Sequence, residues 1–134
     1  MSPSALILLV DDDASLLAFA ERYLRRMGYR VRACAGATLA WENFSEAPES
    51  FSVAVIDLVL GESTGQELGA RMAAANPRIG LLFTSGFASD EAKLPQGLSA
   101  PVRFLQKPFT GAMLVEAVEA LLRGGAGAKP ATAP

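Results

Sequence analysis

A carboxylate at the end of an apolar segment is the first place where the sequence points to chemistry. Asp57 follows the uninterrupted apolar run at residues 53–56 and precedes a loop rich in glycine, serine and threonine. Such a run indicates a strand buried on both faces of a parallel sheet. The carboxyl ends of these strands open into the crevice where ligands bind. An isolated Asp more often ends a strand by starting a turn, so the interpretation depends on which residues share the crevice.

Other polar residues stand at the ends of three further apolar segments. Asp11, Asp12 and Asp13 follow the first segment, Ser85 ends another, and Lys107 follows the last. Carboxylates that share one crevice repel each other unless a cation neutralises them. Oxygen ligands without histidine or cysteine select a hard ion, so these residues predict a Mg²⁺ site. Asp13 is better explained as the N-cap of the helix that follows.

The same set of residues is suited to phosphoryl transfer. A carboxylate such as Asp57 can attack phosphorus and form an aspartyl phosphate. The ammonium of Lys107 and a divalent cation can share the charge on the transferred phosphoryl oxygens. The hydroxyl of Ser85 can bond a further phosphoryl oxygen and thereby register that the group is present. Phosphoryl transfer to Asp57 is therefore the chemistry that these residue types favour.

The elements that must position these residues alternate between apolar runs and segments of helical periodicity. The runs predict strands at about residues 6–10, 30–34, 53–56, 79–84 and 102–106, and the periodicity predicts helices at about 14–27, 38–44, 65–75 and 113–122. Pro95 and Gly97 predict a short or irregular fourth helix between the last two strands. This alternation predicts an α/β fold: a doubly wound five-stranded parallel sheet in three layers. The flavodoxin-like strand order 2-1-3-4-5 suits five strands.

Composition limits the class of protein. The chain has 134 residues, of which 51% are hydrophobic, and a net charge of -2. These values predict one domain with a core and no nucleic-acid partner. The apolar runs are far shorter than the roughly 18 residues of a membrane-spanning helix, so we expect no membrane partner. No signal-type segment is recognisable, which predicts a cytoplasmic protein. The chain has one cysteine and no histidine, which excludes an internal disulfide and a phosphohistidine of its own.

Four short motifs at the strand ends resemble those of the receiver domain of two-component response regulators. They are Leu9-Val-Asp11-Asp12, Ile56-Asp57-Leu58, Thr84-Ser85-Gly86 and Phe104-Leu-Gln-Lys107-Pro108-Phe109. The resemblance covers about residues 5–123, and the pattern is most similar to stand-alone receivers or those of hybrid sensor kinases. We therefore expect a receiver domain at residues 1–123 and a disordered tail, rich in glycine, alanine and proline, at residues 124–134.

The resemblance implies a role for each site residue. It makes Asp57 the phospho-acceptor and Lys107 its phosphate partner, with a cis peptide bond before Pro108. Mg²⁺ would be the cofactor, held through the following groups: the side chains of Asp12 and Asp57, the backbone carbonyl of Val59, and Asp11 by way of water. Ser85 would be the switch hydroxyl and Phe104 the switch aromatic residue.

The resemblance also implies the partners. The phosphoryl group would come from a histidine kinase or a histidine phosphotransfer protein, and a downstream protein, unidentified, would read the phosphorylated surface. The domain would act on itself only, so it is a signalling domain and not an enzyme. Because family members often dimerise through the fourth helix, the short one here predicts a monomer or a weak dimer.

Two alternatives belong to other functional classes. Asp11-x-Asp13 after an apolar strand also resembles the nucleophile motif of haloacid-dehalogenase-type phosphatases, in which Asp11 would carry the phosphoryl group. No acidic residue follows Lys107 in a loop to complete that metal site. A pseudo-receiver would keep the fold as a binding module without the chemistry. The intact set of Asp11, Asp12, Asp57, Ser85 and Lys107 argues against it.

Overall fold

The computed structural model describes residues 5–61 and 63–124 of the chain. The strands are β1 Leu6–Val10, β2 Arg30–Cys34, β3 Val53–Asp57, β4 Gly80–Ser85 and β5 Val102–Gln106. The α-helices are α1 Ala14–Arg26, α2 Ala37–Glu46, α3 Gly65–Ala75 and α4 Gly111–Gly124, and short 3-10 segments span Pro48–Ser50 and Ala88–Lys93. Apart from Gly124, the predicted tail lies outside the described residues. Every predicted element is present within a few residues of its expected bounds.

The five strands form one parallel sheet in the order β2-β1-β3-β4-β5. This confirms the predicted order. Strand β1 lies between β2 and β3, so the chain reverses its direction of winding between β1 and β3. The register places Asp57 beside Thr84, and Ser85 beside Gln106. The carboxyl ends of β1, β3, β4 and β5 therefore meet along one edge of the sheet.

Helices cover both faces of the sheet, which gives the predicted three layers. Strand β1 shows the division, since Leu8 and Val10 belong to one buried cluster and Ile7 and Leu9 to another. The first cluster includes residues of α2 and α3, among them Phe44 and Met72. The second includes residues of α1 and α4, among them Leu24, Leu114 and Val118. A strand buried on both faces has apolar side chains at almost every position, which is why continuous apolar runs predicted β1 and β3.

The connection between β4 and β5 has no α-helix. Residues Ala88–Lys93 form a 3-10 segment, and an irregular stretch follows in which Gly97 has a φ of 77°. Leu94 and Leu98 pack against the cluster on the α2 and α3 side, as does Phe104. The short, irregular fourth helix is thus confirmed. Proline at position 95 and the left-handed backbone at Gly97 explain why an α-helix cannot continue there.

Helix α3 packs closely on the sheet at Gly69, and this yields a prediction. A Cβ atom at this position would lie 2.5 Å from the buried ring of Phe83. Overpacking of a core costs about 1–3 kcal/mol, and an overlap this close with a buried ring belongs at the upper end of that range. Alanine regains only roughly 1 kcal/mol over glycine in a helix. Gly69→Ala should therefore lower the free energy of unfolding by about 1 kcal/mol or more, measured by urea denaturation.

Gly61→Ala is the matched control, since a Cβ there would meet nothing within 4 Å. Its stability should change by less than about 0.5 kcal/mol or rise slightly. A Gly69→Ala protein as stable as the wild type would contradict the close packing of α3 against β4.

Candidate functional site

Asp57 ends β3 with its side chain turned into a network of polar groups. The side chain is 8% exposed. Its Oδ1 accepts a hydrogen bond from the backbone N–H of Val59 at 3.1 Å, and its Oδ2 accepts one from Lys107 Nζ at 2.9 Å. Both carboxylate oxygens are therefore held by donors from different parts of the chain. This fixes the orientation of the group at the carboxyl edge of the sheet.

Lys107 reaches this carboxylate from the end of β5. Its backbone N–H donates to the carbonyl of Ser85 at 2.7 Å, and the peptide bond to Pro108 is cis, as the resemblance implies. Nζ also lies 3.0 Å from Asp11 Oδ2, so one ammonium bridges two carboxylates. Burial on its own would lower the pKa of Lys107. The hydrogen bonds to Asp57 and Asp11 outweigh that effect, and the pKa is raised. The lysine is therefore held in its charged form.

Asp11 and Asp12 complete the acidic group from the end of β1. Asp11 Oδ1 accepts from the backbone N–H of Asp13 at 2.8 Å, while burial raises the pKa of the Asp11 carboxyl. Asp12 is exposed. Asp13 caps α1 through hydrogen bonds from the N–H groups of Ser15 and Leu16, as predicted. This cap anchors the start of the helix directly beside the two acidic residues.

The acidic residues have the composition and spacing of a site for a hard cation. One oxygen from each of Asp11, Asp12 and Asp57 lies within 4.8 Å of the others. Carboxylates that close together repel each other, and Lys107 contacts two of the three. Mg²⁺ prefers one or two carboxylates and completes its shell with carbonyls and water. The backbone of Val59 lies beside Asp57 and pairs with Thr64 in an isolated bridge. The donor set therefore fits Mg²⁺.

Glycine at the start of α3 lets the helix approach the site closely. The N–H of Gly65 donates to the carbonyl of Leu58, and a Cβ atom on Gly65 would overlap the backbone carbonyl oxygen of Asp57. Thr64 caps the helix by accepting from the N–H of Glu67. The loop between β3 and α3 is thus tied down directly after the Asp57 carboxylate.

Ser85 lies at the end of β4 and is 2% exposed. Its hydroxyl donates to Asp90 Oδ2 at 2.5 Å and accepts from the backbone N–H of Phe87 at 3.2 Å. Thr84 lines a small cavity together with Asp11 and other residues on the α1 and α4 side of the sheet. The side chains of Thr84 and Ser85 therefore lie on opposite faces of the sheet, as the alternation of side chains along a strand requires.

Phe104 is half-buried and is the β5 partner of Phe83 in the sheet register. It packs against the core cluster on the α2 and α3 side.

Asp90 is a residue of the site that the sequence did not predict. It is buried and accepts a hydrogen bond from Ser85. The hydrogen bond from Ser85, and secondly that from Lys93, lowers the pKa of the Asp90 carboxyl. An acidic residue five positions after a strand-end serine is a weak signal, because most such residues lie in solvent.

Comparison with known proteins agrees with this geometry. The family model of the response regulator receiver domain matches residues 7–119. The chain belongs to this family. Receiver domains act in two-component signalling and are not enzymes of the usual kind, so the family assignment gives no support to the phosphatase alternative. Among the described residues, no helix is long and apolar enough to cross a membrane.

Individual relatives include both stand-alone and multidomain proteins. The response regulator receiver protein CpdR of Brucella abortus (strain 2308) is 31% identical over 87% of this chain and 95% of its own length. The sensor kinase CckA of the same organism is 31% identical over 91% of this chain, which corresponds to only 13% of CckA. A response regulator receiver protein from Sinorhizobium medicae WSM419 has a solved structure that matches 90% of this chain and 96% of its own, with a TM-score of 0.79 and 28% identity.

The bridging role of Lys107 predicts a specific loss of stability. Lys107→Met leaves Asp11 and Asp57 close together without their shared cation. In metal-free buffer we expect the free energy of unfolding to fall by about 1–3 kcal/mol, less than for a fully buried pair because Lys107 is partly exposed. Chemical denaturation measures this difference.

A double variant tests whether repulsion between the carboxylates causes this loss of stability. Adding Asp57→Asn to Lys107→Met removes one of the repelling carboxylates and should recover part of the lost stability. Arg22→Met, which removes a positive charge from an exposed position on α1, should change stability by less than about 0.5 kcal/mol. Equal stability of Lys107→Met and the wild type would show that the ion pairs contribute nothing.

Proposed function

We propose that this receiver accepts a phosphoryl group on Asp57, in a Mg²⁺-dependent transfer from the phosphohistidine of a histidine kinase or a histidine phosphotransfer protein. The observation that carries the proposal is the orientation of the Asp57 carboxylate by Val59 N–H and Lys107 Nζ beside two further carboxylates. The receiver family supports it, since receiver domains are phosphorylated by histidine kinases. The 134 residues contain no histidine, so the phosphohistidine donor must lie outside them.

In the transfer, a carboxylate oxygen of Asp57 forms a bond to phosphorus while the bond between phosphorus and the donor imidazole nitrogen breaks. The electron pair of the broken bond stays with the imidazole. Val59 N–H and Lys107 hold the carboxylate in place before the reaction, so little reorganisation is needed. Lys107 then lies within reach of the new phosphoryl oxygens and stabilises their negative charge.

Asp12, Asp57 and the carbonyl of Val59 would bind Mg²⁺ directly, and Asp11 through water. When bound, the cation neutralises charge on the carboxylates and on the phosphoryl oxygens. Without it, three carboxylates and an incoming phosphoryl group would face a single ammonium. The requirement for a cation follows from this charge balance.

Ser85 and Phe104 would transmit the change. The Ser85 hydroxyl would bond a phosphoryl oxygen, and the half-buried ring of Phe104 would follow the displaced end of β4. Ser85 is the last residue of β4, and Phe104 lies in the neighbouring strand β5. A downstream protein partner would then read a surface whose two states differ in population. The net charge of -2 favours a protein partner over a nucleic acid.

The remaining expectations complete the proposal. Residues 1–123 would be the functional receiver, in the cytoplasm, as a monomer or weak dimer. The domain would transfer and hydrolyse only its own phosphoryl group. A pseudo-receiver is the competing function, and the complete acidic group with its lysine disfavours it.

Intact mass spectrometry tests the proposal. After incubation with acetyl phosphate and Mg²⁺, the wild type should gain one phosphoryl group, and Asp57→Asn should gain none because the nucleophilic carboxylate is absent. Chelation of the metal should abolish the gain. Asp13→Asn is the matched control, since it changes the same chemical group at the helix cap, outside the proposed metal shell, and should still be phosphorylated.

Two results would contradict the proposal. Phosphorylation that survives in Asp57→Asn but is lost in Asp11→Asn would indicate the phosphatase-type nucleophile. A wild type that neither gains mass nor binds the phosphoryl mimic beryllofluoride would be a pseudo-receiver. The mimic excludes fast self-hydrolysis as the reason for an unmodified mass, because it does not hydrolyse.

A further inference from the structure

The hydroxyl of Ser85 is already engaged on the side of the 3-10 segment. It donates to Asp90 Oδ2 and accepts from the N–H of Phe87. The Asp57 carboxylate, in contrast, takes its hydrogen bonds from Val59 and Lys107. Ser85 is thus at the end of the correct strand, but its one hydrogen points to a carboxylate other than the phospho-acceptor.

Asp90 is placed for this contact by the 3-10 segment. Its backbone N–H donates to the carbonyl of Phe87 at 3.0 Å, which folds the segment back onto the end of β4. The side chain is 13% exposed, and its other oxygen, Oδ1, pairs with Lys93 Nζ at 3.2 Å. Each carboxylate oxygen therefore has its own partner. A hydrogen bond between a hydroxyl and an ionised carboxylate is short and about twice as strong as one between neutral groups.

A serine hydroxyl has one hydrogen to donate. A phosphoryl oxygen is an acceptor, as is Asp90 Oδ2, so Ser85 can make a full hydrogen bond to only one of them. The bond seen here must break before Ser85 can bond a phosphoryl group on Asp57. The two arrangements exclude each other by proton count.

We propose that Asp90 is a positioning residue that holds the Ser85 hydroxyl away from the phosphorylation site, so that phosphorylation must release the Ser85–Asp90 hydrogen bond. The inference rests on the proposed phosphorylation of Asp57 and adds a competing acceptor to it. Asp90 opposes the phosphorylated state, and its release is the first step by which the signal leaves the site.

Release would reorganise the segment that Asp90 anchors. Asp90 would keep Lys93 as partner but lose its bond to Ser85, and a largely buried carboxylate with fewer partners is costly. The Phe87 N–H would lose its acceptor when Ser85 turns. Because Phe87 is 70% exposed, the surface at residues 87–93 would change its shape and its apolar content together. A partner that distinguishes the two states would therefore contact residues 87–93.

The affinity for beryllofluoride in the presence of Mg²⁺, measured by fluorine NMR, tests the competition. Asp90→Ala removes the competing acceptor and should bind the mimic about tenfold more tightly than the wild type. Asp90→Asn keeps a weaker neutral acceptor and should gain roughly threefold. Glu91→Gln loses the same charge at the next position, which is exposed, and should match the wild type.

The Ser85→Ala background separates the hydrogen bond from general charge effects. Without the hydroxyl there is nothing for Asp90 to hold, so Asp90→Ala should no longer change the affinity in that background. If Asp90→Ala raised the affinity equally with and without the Ser85 hydroxyl, the inference would be overturned. Asp90 would then act only through its negative charge.

A readout without any phosphoryl mimic tests the contact itself. The pKa of the Asp90 carboxyl, followed by NMR, should be lower than usual in the wild type and higher in Ser85→Ala. An Asp90 pKa that is the same in the wild type and in Ser85→Ala would overturn the inference. A wild type that does not bind beryllofluoride would refute the proposed function and, with it, the coupling. Tight and equal binding by the wild type and Asp90→Ala would refute the role of Asp90 and leave the proposed function standing.

Discussion

One ammonium group, Lys107 Nζ, lies between the carboxylates of Asp57 and Asp11, at 2.9 and 3.0 Å. The rest of the site depends on this contact, because two carboxylates this close repel each other and a third, Asp12, is within the same cluster. The ammonium allows the sheet to bring these groups together, but it leaves negative charge in excess. This excess of negative charge favours the binding of a divalent cation.

The parallel sheet brings the residues of the site together. Asp11 and Lys107 are 96 positions apart in the sequence and Asp57 lies about midway between them, yet all three lie at strand ends on the same edge of one sheet. The close approach of α3 at Gly65 and the Asp13 cap of α1 then fix the loops that follow β3 and β1. The functional residues are thus concentrated at the carboxyl ends of the strands and directly after them, and the rigid sheet sets the distances between them.

The sequence was informative where one residue type has one strong physical preference. Strands buried on both faces are almost entirely apolar, so β1 and β3 could be recognised. The acidic residues Asp11, Asp12 and Asp57 could then be identified at their ends. Pro95 and Gly97 made the irregular fourth connection predictable. The Ser85–Asp90 hydrogen bond could not be read in this way, because it depends on the direction of one hydroxyl and on how a 3-10 segment folds back. The contact between Gly69 and Phe83 depends on the distance between layers, which no local pattern encodes.

The most direct test of the account is a crystal structure of the protein with Mg²⁺ and beryllofluoride. The account predicts the mimic on a carboxylate oxygen of Asp57, contacted by Lys107, with Mg²⁺ bound by Asp12 and Asp57. It further predicts the Ser85 hydroxyl bonded to a fluorine and separated from Asp90. A mimic bound to Asp11, or a site that binds Mg²⁺ while Lys107 has no contact with the mimic, would contradict the central role given to the pair of Asp57 and Lys107.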